Sequence, residues 1–404
     1  MIQAICILGR QPALGLAELE SLYGAEHVLR PSEHVAALDV TPDTVTFARL
    51  GGSTRLGRVV ATVGNNLWKD TEKQLAKSLV EIAGTLPEGK LQLGISAYGI
   101  PVTPQKLTAT GLTLKKIVRG KTGRTLRLSP NNELELNTAQ VLHNHLTGPL
   151  GVEFLVCATA DGKTIIAQTT EVQDIDSYTL RDRGRPKRDA RVGMLPPKLA
   201  QIIINLAVGT ANPKFGAVVL DPFCGTGVVL QEASLMGFDI YGTDLEPRMV
   251  EYTKANLTWL TTLPQHRVIT HSDDNTYYSL EQADATDHIW KPQPNFVACE
   301  TYLGRPFTEV PSHDVLEQTV SEVNLILKKF LRNIHDQLPA GGRMCIAVPA
   351  WRVQPNAFRH LPLLDSLEEI GYNRVSFEHV RDTDLLYYRE DQIVARELLV
   401  LRRK

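Results

Sequence analysis

The sequence predicts an α/β protein whose C-terminal half contains a mostly parallel sheet. Two observations lead to this fold class: strand-like and helix-like segments alternate from residue 216 onward, and a glycine-bearing turn, DPFCGTG, follows the first of those strands. Alternation of this kind is typical of a sheet covered by helices on both faces. The end of the chain predicts two strands joined by Arg389–Gln392, which we expect as an antiparallel hairpin at the sheet edge.

The strand and helix signals of this half follow one another along the chain. Apolar residues at helical spacing predict a helix over 198–208 and a long helix over 315–338. Further patterns predict strands at AVVL, FDIYG, RVIT, NFVA and RMCIAVPAW, with helices over 227–236 and 247–257.

Bulk composition bounds the function without assigning it. The chain has 404 residues and a net charge of −2, and 43% of its residues are hydrophobic, which is ordinary for a soluble protein of two or three domains. No apolar run approaches membrane-spanning length, and the N-terminus lacks the basic start of a signal peptide. Five scattered cysteines without CxxC pairs favour a reducing cytoplasm and argue against a disulfide framework and a structural zinc site.

The N-terminal half divides into smaller predicted regions. It predicts strands at Ile2–Leu8, Leu91–Tyr98 and Val152–Ala158, with helices at Leu14–Tyr23 and Asp70–Gly84. We therefore divide the chain into an α+β unit over 1–60, a second mixed region over 61–172, a charged connector over 173–196, and the α/β half over 197–404.

A basic window lies within the second region. Residues 101–130 contain seven cations and no acid: Lys106, Lys115, Lys116, Arg119, Lys121, Arg124 and Arg127. Such a window favours a nucleic-acid phosphate footprint, with a solvated basic face as the alternative. The connector mixes arginines, Arg185 among them, with Asp182 and Asp189, so ion pairs and RNA contacts are both open there.

The glycine-bearing turn Asp221–Gly227 predicts a ligand site. Gly225 and Gly227 allow the backbone to approach a ligand closely at a helix N-terminus. The turn is neither a dinucleotide nor a triphosphate motif. Its leading acid, Asp221, would repel a pyrophosphate and attract a ligand with a positive end.

Two later acids extend this site. Asp244 ends the next strand, about twenty residues beyond the glycine turn, and an acid at this sequence spacing suits the two hydroxyls of a ribose. Asp284 precedes the NFVA strand, where an acid can accept from an adenine amine. A ribose, an adenine and a cationic amino-acid tail together describe S-adenosylmethionine; the alternative is a structural glycine turn with two unrelated acids.

DPFCGTG, YGTDLEP and RPKRDARVGMLPPKLAQIIINLA resemble the THUMP-domain tRNA methyltransferases that modify the guanosine 2-amine. The resemblance implies a Rossmann-like class I methyltransferase domain preceded by ferredoxin-like and THUMP RNA-binding domains. It implies S-adenosyl-L-methionine as the cofactor. The residues that would hold it are Asp221, Phe223, Cys224, Gly225, Thr226 and Gly227 in the loop, Asp244 and Leu245 at the ribose, and Asp284 and Ala285 at the adenine.

The chain departs from this family at the loop after its NFVA strand. Relatives have Asp-Pro-Pro-Tyr, whereas this chain has Glu300-Thr301-Tyr302-Leu303. We expect Glu300 to accept from the target amine and Tyr302 to stack on the base or donate through its hydroxyl. The alternatives are another target atom, a lost activity, or a polar strand end without a catalytic part.

The resemblance implies a cytoplasmic enzyme whose partner is tRNA or another structured RNA. The chain would act without metal or membrane, as a monomer or with a small activator protein. The seven window cations and Arg185 are the expected RNA contacts. The alternatives are a methyltransferase for another nucleic-acid base, in DNA or other RNA, and a catalytically impaired RNA-binding protein that keeps the cofactor pocket.

Overall fold

The computed structural model describes residues 1–189, 194–210, 216–263, 278–307, 309–355 and 357–404. They form two compact units. The first comprises Met1–Leu16, Ala25–Ala48 and Gly52–Ile175, and the second comprises Ala17–Gly24, Arg49–Gly51 and Asp176–Lys404.

The first unit contains eight strands and the helices that follow them. The strands are β1 (Ala4–Leu8), β2 (Val28–Ser32), β3 (Val35–Leu38), β4 (Ser53–Val63), β5 (Leu91–Tyr98), β6 (Leu126–Leu128), β7 (Gly151–Ala158) and β8 (Thr164–Val172). The helices are α1 (Pro12–Tyr23), whose second half belongs to the second unit, α2 (Trp68–Thr85), α3 (Pro104–Thr122) and α4 (Thr138–His143).

All eight strands join in one sheet, in the order β2-β3-β1-β4-β8-β7-β5-β6. The predicted strands at Leu91–Tyr98 and Val152–Ala158 are present, and the predicted helices at Leu14–Tyr23 and Asp70–Gly84 are each two residues longer at their N-terminus. Strand β4 crosses residue 60, so the sequence regions 1–60 and 61–172 share a continuous sheet.

The basic window 101–130 consists mainly of helix α3. Thr103 caps its N-terminus by accepting from the Lys106 amide at 3.2 Å, and Gly123 ends it with φ 71°. Leu107, Leu114 and Val118 are buried in the core against the sheet. Because these apolar residues face inward, the cations of α3 remain on the solvent side.

A buried polar network crosses the sheet of the first unit. Arg55 Nη1 donates to Glu153 Oε1 and to the Tyr98 hydroxyl, both at 2.9 Å. Ser96 and Thr169 donate to the two oxygens of the same carboxylate, each at 2.7 Å. Burial raises the pKa of Glu153, while Arg55 and the two hydroxyls oppose that shift.

The second unit contains nine strands and six helices within its described residues. The strands are β9 (Val218–Asp221), β10 (Asp239–Asp244), β11 (Tyr278–Gln282), β12 (Phe296–Glu300), β13 (Arg343–Gln354), β14 (Ala357–Arg359), β15 (Tyr372–Arg374), β16 (Leu386–Tyr387) and β17 (Val394–Arg403). The helices are α5 (Ile175–Thr179), α6 (Pro197–Val208), α7 (Val228–Leu235), α8 (Pro247–Leu260), α9 (His313–His335) and α10 (Leu367–Ile370). The RVIT strand lies outside the described residues.

The sheet of the second unit has the order β11-β10-β9-β12-β13-β17-β15, and its first five strands are parallel. This confirms the Rossmann-like α/β prediction. The two strands at the chain end do pair, with Tyr387 opposite Arg396. However, β17 is an interior strand, because it lies between β13 and the short β15, which forms the edge.

Helix α9 covers one face of this sheet. Its predicted apolar face, including Val320, Leu327 and Phe330, is buried in the main hydrophobic core with strand residues such as Val297 and Ile346. Helix α6 packs on β12 and β13, and its exposed surface is small. Within the described ranges, no helix is both long and apolar enough to cross a membrane.

Replacing Arg55 with Met is expected to destabilise the first unit by about 3–5 kcal/mol, because it leaves the Glu153 carboxylate buried without its cation. Chemical denaturation followed by circular dichroism measures the change. Arg58→Met is the matched control on the same strand, since its pair with Asp43 is exposed and contributes about 0–1 kcal/mol. Equal losses in the two variants would contradict the assignment.

Candidate functional site

The candidate site lies where the strand order of the second sheet reverses. The chain moves from β9 to β10 on one side and later to β12 on the other, so a crevice opens beyond the carboxyl ends of β9 and β12. Asp221 ends β9, Asp244 ends β10 and Glu300 ends β12. The fold therefore brings together three acids that are far apart in sequence.

The glycine loop between β9 and α7 has the backbone geometry that the sequence predicts. Gly225 and Gly227 have φ values of 53° and 78°, in the left-handed region. A Cβ on Gly227 would lie 2.7 Å from the Thr253 methyl carbon, whereas a Cβ on Gly225 would meet only the Phe223 carbonyl oxygen, at 3.9 Å. Gly225 therefore leaves room beside the loop that a ligand can use.

Asp244 fixes the glycine loop from the neighbouring strand. Its Oδ2 accepts from the Gly225 amide at 2.8 Å, and its Oδ1 accepts from the Glu246 amide at 2.9 Å. Each carboxylate oxygen keeps one further lone pair for ligand hydroxyls. Leu245, which follows directly, is 61% exposed and presents an apolar surface beside the acid.

Asp221 is a buried carboxyl group at the base of the loop. Its Oδ1 accepts from the Phe223 amide at 3.2 Å, and 2% of the residue is exposed. Burial raises the pKa of Asp221 well above its usual range, and repulsion from Asp244 and Glu300 raises it further. A cationic ligand would relieve this repulsion, so the donor set fits a group with positive charge.

The remaining loop residues are packed rather than reactive. Phe223 lies edge-on against Phe330, with ring centroids 5.1 Å apart. Cys224 is buried, and burial together with the nearby acids raises the pKa of its thiol well above the usual range. The protonated thiol is a poor nucleophile. Thr226 contributes its backbone carbonyl, which accepts from Asn256 Nδ2 at 2.9 Å.

Asn256 is a site residue that sequence reasoning missed. Its side chain is fully buried on α8 and donates to the carbonyls of Thr226 and Lys187, both at 2.9 Å. Its Oδ1 accepts from the Lys187 amide, also at 2.9 Å. The glycine loop is thus tied to the RPKRD segment. A lone asparagine in the middle of a helical pattern was the available sequence signal.

Asp284 and Ala285 lie beyond the carboxyl ends of the parallel strands as well, directly after β11. The Ala283 amide donates to the Asp244 carbonyl at 3.0 Å, which places this turn beside β10. Asp284 Oδ1 accepts from the Thr286 amide at 2.9 Å, and the Ala285 carbonyl accepts from Asn333 Nδ2 at 3.0 Å. The structure thus collects all three acids of the predicted ligand site.

Glu300 is ion-paired with Arg396, a residue that the sequence did not identify. Arg396 Nε donates to Glu300 Oε1, and the side chains are 5% and 15% exposed for the arginine and the glutamate respectively. Burial raises the pKa of Glu300, and Arg396 opposes this shift. Two adjacent charges, Arg396 and Glu397, inside an otherwise apolar strand were the only sequence signal for this partner.

The loop after Glu300 is anchored to α9. Gly304 has φ 83°, and a Cβ there would lie 2.9 Å from the Thr319 methyl carbon. Arg305 Nε donates to Thr319 Oγ1 at 3.1 Å. These contacts hold the loop without the two prolines found in relatives. Tyr302 remains 44% exposed, so its ring is available to a ligand.

The basic residues of the window differ in their availability. Six are exposed: Lys106, Lys115, Lys116, Arg119, Lys121 and Arg127. Lys106 also pairs with Glu72 at 2.8 Å. Arg124 departs from the prediction, because its guanidinium donates to the carbonyls of Ala83, Leu86 and Gly89 at the end of α2. Its terminal nitrogens donate within the fold and its Nε is buried, so we remove it from the RNA contacts.

The connector cations also differ from the prediction. Arg185 is 3% exposed, so it is not a surface contact for RNA, and we remove it as well. Arg181 Nε pairs with the buried Glu232 at 2.7 Å, and Asp189 pairs with Arg248 at 3.1 Å. The sequence left ion pairs and RNA contacts open for the connector, and the structure shows ion pairs at Arg181 and Asp189.

Part of the chain is similar to known methyltransferases. Residues 185–280 match the family UPF0020, described as an RMKL-like methyltransferase domain. The chain is 32% identical over 158 residues to the tRNA (guanine(10)-N2)-dimethyltransferase of Methanothermobacter thermautotrophicus, covering 39% of each chain. It is 45% identical over 181 residues to the enzyme of that name from Pyrococcus abyssi, covering 44% of this chain and 43% of the relative.

The chain thus spans less than half the length of these curated relatives. Among solved structures, TrmN from Thermus thermophilus aligns over 100% of both chains at 18% identity, with a TM-score of 0.48. The segment that carries the glycine loop is similar to the methyltransferase domain of the matched family. The resemblance predicted from the motifs is confirmed over the part of the chain that these comparisons cover.

The geometry fits S-adenosylmethionine, the methyl donor that the motifs predict. Gly225 leaves open space at a helix N-terminus, Asp244 has spare lone pairs for hydroxyls, and Asp221 is a buried acid suited to a cationic group. When bound, the cofactor supplies an electrophilic methyl group.

Gly225→Ala is expected to fold but to bind S-adenosylhomocysteine at least about tenfold more weakly, a loss of roughly 1.4 kcal/mol, because the new methyl group occupies the ligand space. Calorimetric titration measures the affinity. Gly341→Ala is the matched control: it has φ 71° and open surroundings, but lies before β13 at the opposite edge. Both variants carry a similar backbone strain of about 1–2 kcal/mol. Undiminished affinity in Gly225→Ala would remove the loop from the site.

Proposed function

We propose that the protein transfers a methyl group from S-adenosylmethionine to the 2-amine of a guanosine in tRNA. The single observation that carries the proposal is the arrangement at the strand reversal, where a methyltransferase glycine loop faces Glu300 across the ends of adjacent strands. The named activity of the relatives, guanine(10)-N2 dimethylation of tRNA, supplies the substrate and makes position 10 the first to examine.

The cofactor residues of the chain divide the ligand between them. Asp244 and Leu245 hold the ribose and its base edge, and Asp284 and Ala285 receive the adenine. Asp221, Phe223, Cys224, Thr226 and the two loop glycines hold the amino-acid end. These roles are supported by the shared sheet edge and by the spare acceptors at the acids.

Glu300 is the acceptor for the target amine. When bound, the cofactor would supply the methyl group and leave as S-adenosylhomocysteine; the amine nitrogen would gain the methyl group and release one proton, which the Glu300 carboxylate would accept. A carboxylate that accepts an N–H of the amine stabilises the positive charge that develops on the nitrogen. Tyr302, half-exposed two residues later, is placed to stack on a base taken out of the RNA helix.

The first unit supplies the RNA-binding surface. We assign residues 1–60 to a ferredoxin-like region, 61–172 to a THUMP-like region and 173–196 to a connector before the 197–404 methyltransferase domain. The five free cations of α3 and β6 are Lys115, Lys116, Arg119, Lys121 and Arg127; no ion pair with another described residue is recorded for any of them. Phosphate contacts of this kind give affinity without base specificity. The enzyme acts in the cytoplasm on tRNA.

The direct test is methylation of unmodified tRNA by the purified protein, with modified nucleosides identified by mass spectrometry. Wild-type protein is expected to produce N2-methylguanosine. Glu300→Gln is expected to reduce kcat about 10²- to 10³-fold, because the amide cannot replace the charged acceptor, with little change in cofactor affinity.

Glu317→Gln is the control for that variant. This glutamate pairs with Arg359 on the surface of α9, and both side chains are 38% exposed. It should keep wild-type kcat. Cofactor binding by the wild type without a methylated product from any RNA would instead favour a non-catalytic RNA-binding protein.

Replacing Lys115, Lys116 and Arg119 together with Ala is expected to weaken tRNA binding. It should also flatten the log–log salt dependence by roughly 0.7 for each lost phosphate contact. Filter binding at several salt concentrations measures both quantities. The matched control replaces Lys69, Lys77 and Lys90, which are exposed lysines of the same unit and give the same charge change. A similar effect in both triple variants would show general charge attraction rather than a binding face.

A further inference from the structure

The hydrogen-bond donors and acceptors of Glu300 and Arg396 are only partly used within the protein. Among the described residues, the hydrogen bond between Arg396 Nε and Glu300 Oε1 is the only one that either side chain makes. The two terminal nitrogens of Arg396 and the second oxygen of Glu300 have no partner there, and none of these atoms is sealed from solvent. The pair therefore offers both donors and acceptors at the end of β12.

Arg396 is held rigidly at this place. Strand β17 pairs it with Pro349 of β13 on one side and with Tyr387 of β16 on the other. The residue is 4% exposed, so the guanidinium reaches the surface only at its tip. The next residue, Glu397, points to the opposite side of the strand and binds His360 at 2.7 Å. Arg396 is thus committed to the Glu300 side.

We propose that Glu300 and Arg396 together read the Watson–Crick edge of the target guanine, with Arg396 donating to O6 and Glu300 accepting from N1–H and the 2-amine. This inference rests on the proposed function and adds the residue that selects the base. A flipped base is read at this edge by hydrogen bonds of matching polarity.

The order of groups in the pair matches guanine. A terminal nitrogen of Arg396, Oε1 of Glu300 and Oε2 of Glu300 give the sequence donor, acceptor, acceptor. Guanine presents acceptor, donor, donor at O6, N1–H and the 2-amine. Adenine presents a donor and an acceptor first, cytosine presents a donor followed by two acceptors, and uracil ends in an acceptor. Each of these three bases therefore places at least one donor against a protein donor, or one acceptor against a protein acceptor.

The ion pair also maintains the state of Glu300 that this recognition requires. Burial raises the pKa of Glu300, and the adjacent arginine opposes the shift by stabilising the carboxylate. Asp221 ends β9, the strand next to β12, and repulsion from Glu300 raises the pKa of Asp221, so the two carboxyl groups share the crevice. The longer glutamate side chain can therefore bind Arg396 and the base together.

The experiment compares two bases at the methylated position of tRNA, beginning with position 10. One transcript carries guanosine and the other carries 2-aminopurine, which keeps the 2-amine but lacks O6 and the N1 proton. Wild type and Arg396→Met are assayed on both for kcat/KM of methyl transfer. Because 2-aminopurine lacks both O6 and the N1 proton, the ratio of the two losses measures the coupling between Arg396 and this part of the base.

Arg396→Met is expected to lose roughly ten- to a hundred-fold more activity on guanosine than on 2-aminopurine, because only guanosine offers an acceptor to the arginine. Equal losses on both bases would overturn the inference and leave Arg396 as a residue that only positions Glu300. If the wild type methylates no guanosine, the proposed function fails as well, which separates the two outcomes.

Two further variants keep the test decisive. Arg396→Lys keeps the charge beside Glu300 but lacks the guanidinium fork that binds Glu300 and O6 together. It carries the same comparison if the Met variant fails to fold, and a smaller loss with the same dependence on the base is expected. Arg374→Met removes a partly buried arginine that lies 3.7 Å from Glu397 and 3.3 Å from Asp382. The loss of kcat/KM in Arg374→Met should be the same on guanosine and on 2-aminopurine. A base-dependent loss in Arg374→Met would show that the selectivity does not belong to Arg396.

Discussion

The structure of the candidate site depends on the carboxylates that lie together at the carboxyl ends of the parallel strands. Parallel strands end together, so Asp221, Asp244 and Glu300 lie close to one another in a partly buried crevice. Burial and repulsion from Asp244 and Glu300 raise the pKa of Asp221. The protein stabilises the other two carboxylates, with backbone N–H groups at Asp244 and with Arg396 at Glu300. A site of this charge favours a cationic ligand and disfavours a pyrophosphate.

The loop after β12 shows how a changed motif can keep its position while changing its support. Positions 301 and 302 hold threonine and tyrosine rather than prolines, and the backbone is held by Gly304 packed on Thr319 and by Arg305 bonded to α9. The carboxylate side chain is longer and is ion-paired with Arg396, so its direction is set by strand β17, which lies beyond β13, rather than by the loop itself. Acceptor and cation form a unit that can distinguish bases.

The two units of the chain divide different physical tasks. The first presents exposed cations on α3, whose apolar face is used in its core, and such a surface binds phosphate without regard to sequence. The second encloses acids and aromatic groups that can act on one base. A net charge of −2 conceals this division, because basic and acidic surfaces cancel in the sum.

The sequence by itself determined the α/β class, the glycine loop, the order of the acids and most helix and strand positions, because these depend on local periodicity and on short motifs. Only the tertiary structure identified Arg396 and Asn256 as partners of the site, since each acts across strands or helices distant in sequence. It also removed Arg124 and Arg185 from the RNA surface. Local sequence shows that a side chain is charged, but whether that charge meets a carbonyl, an acid or solvent is decided by packing.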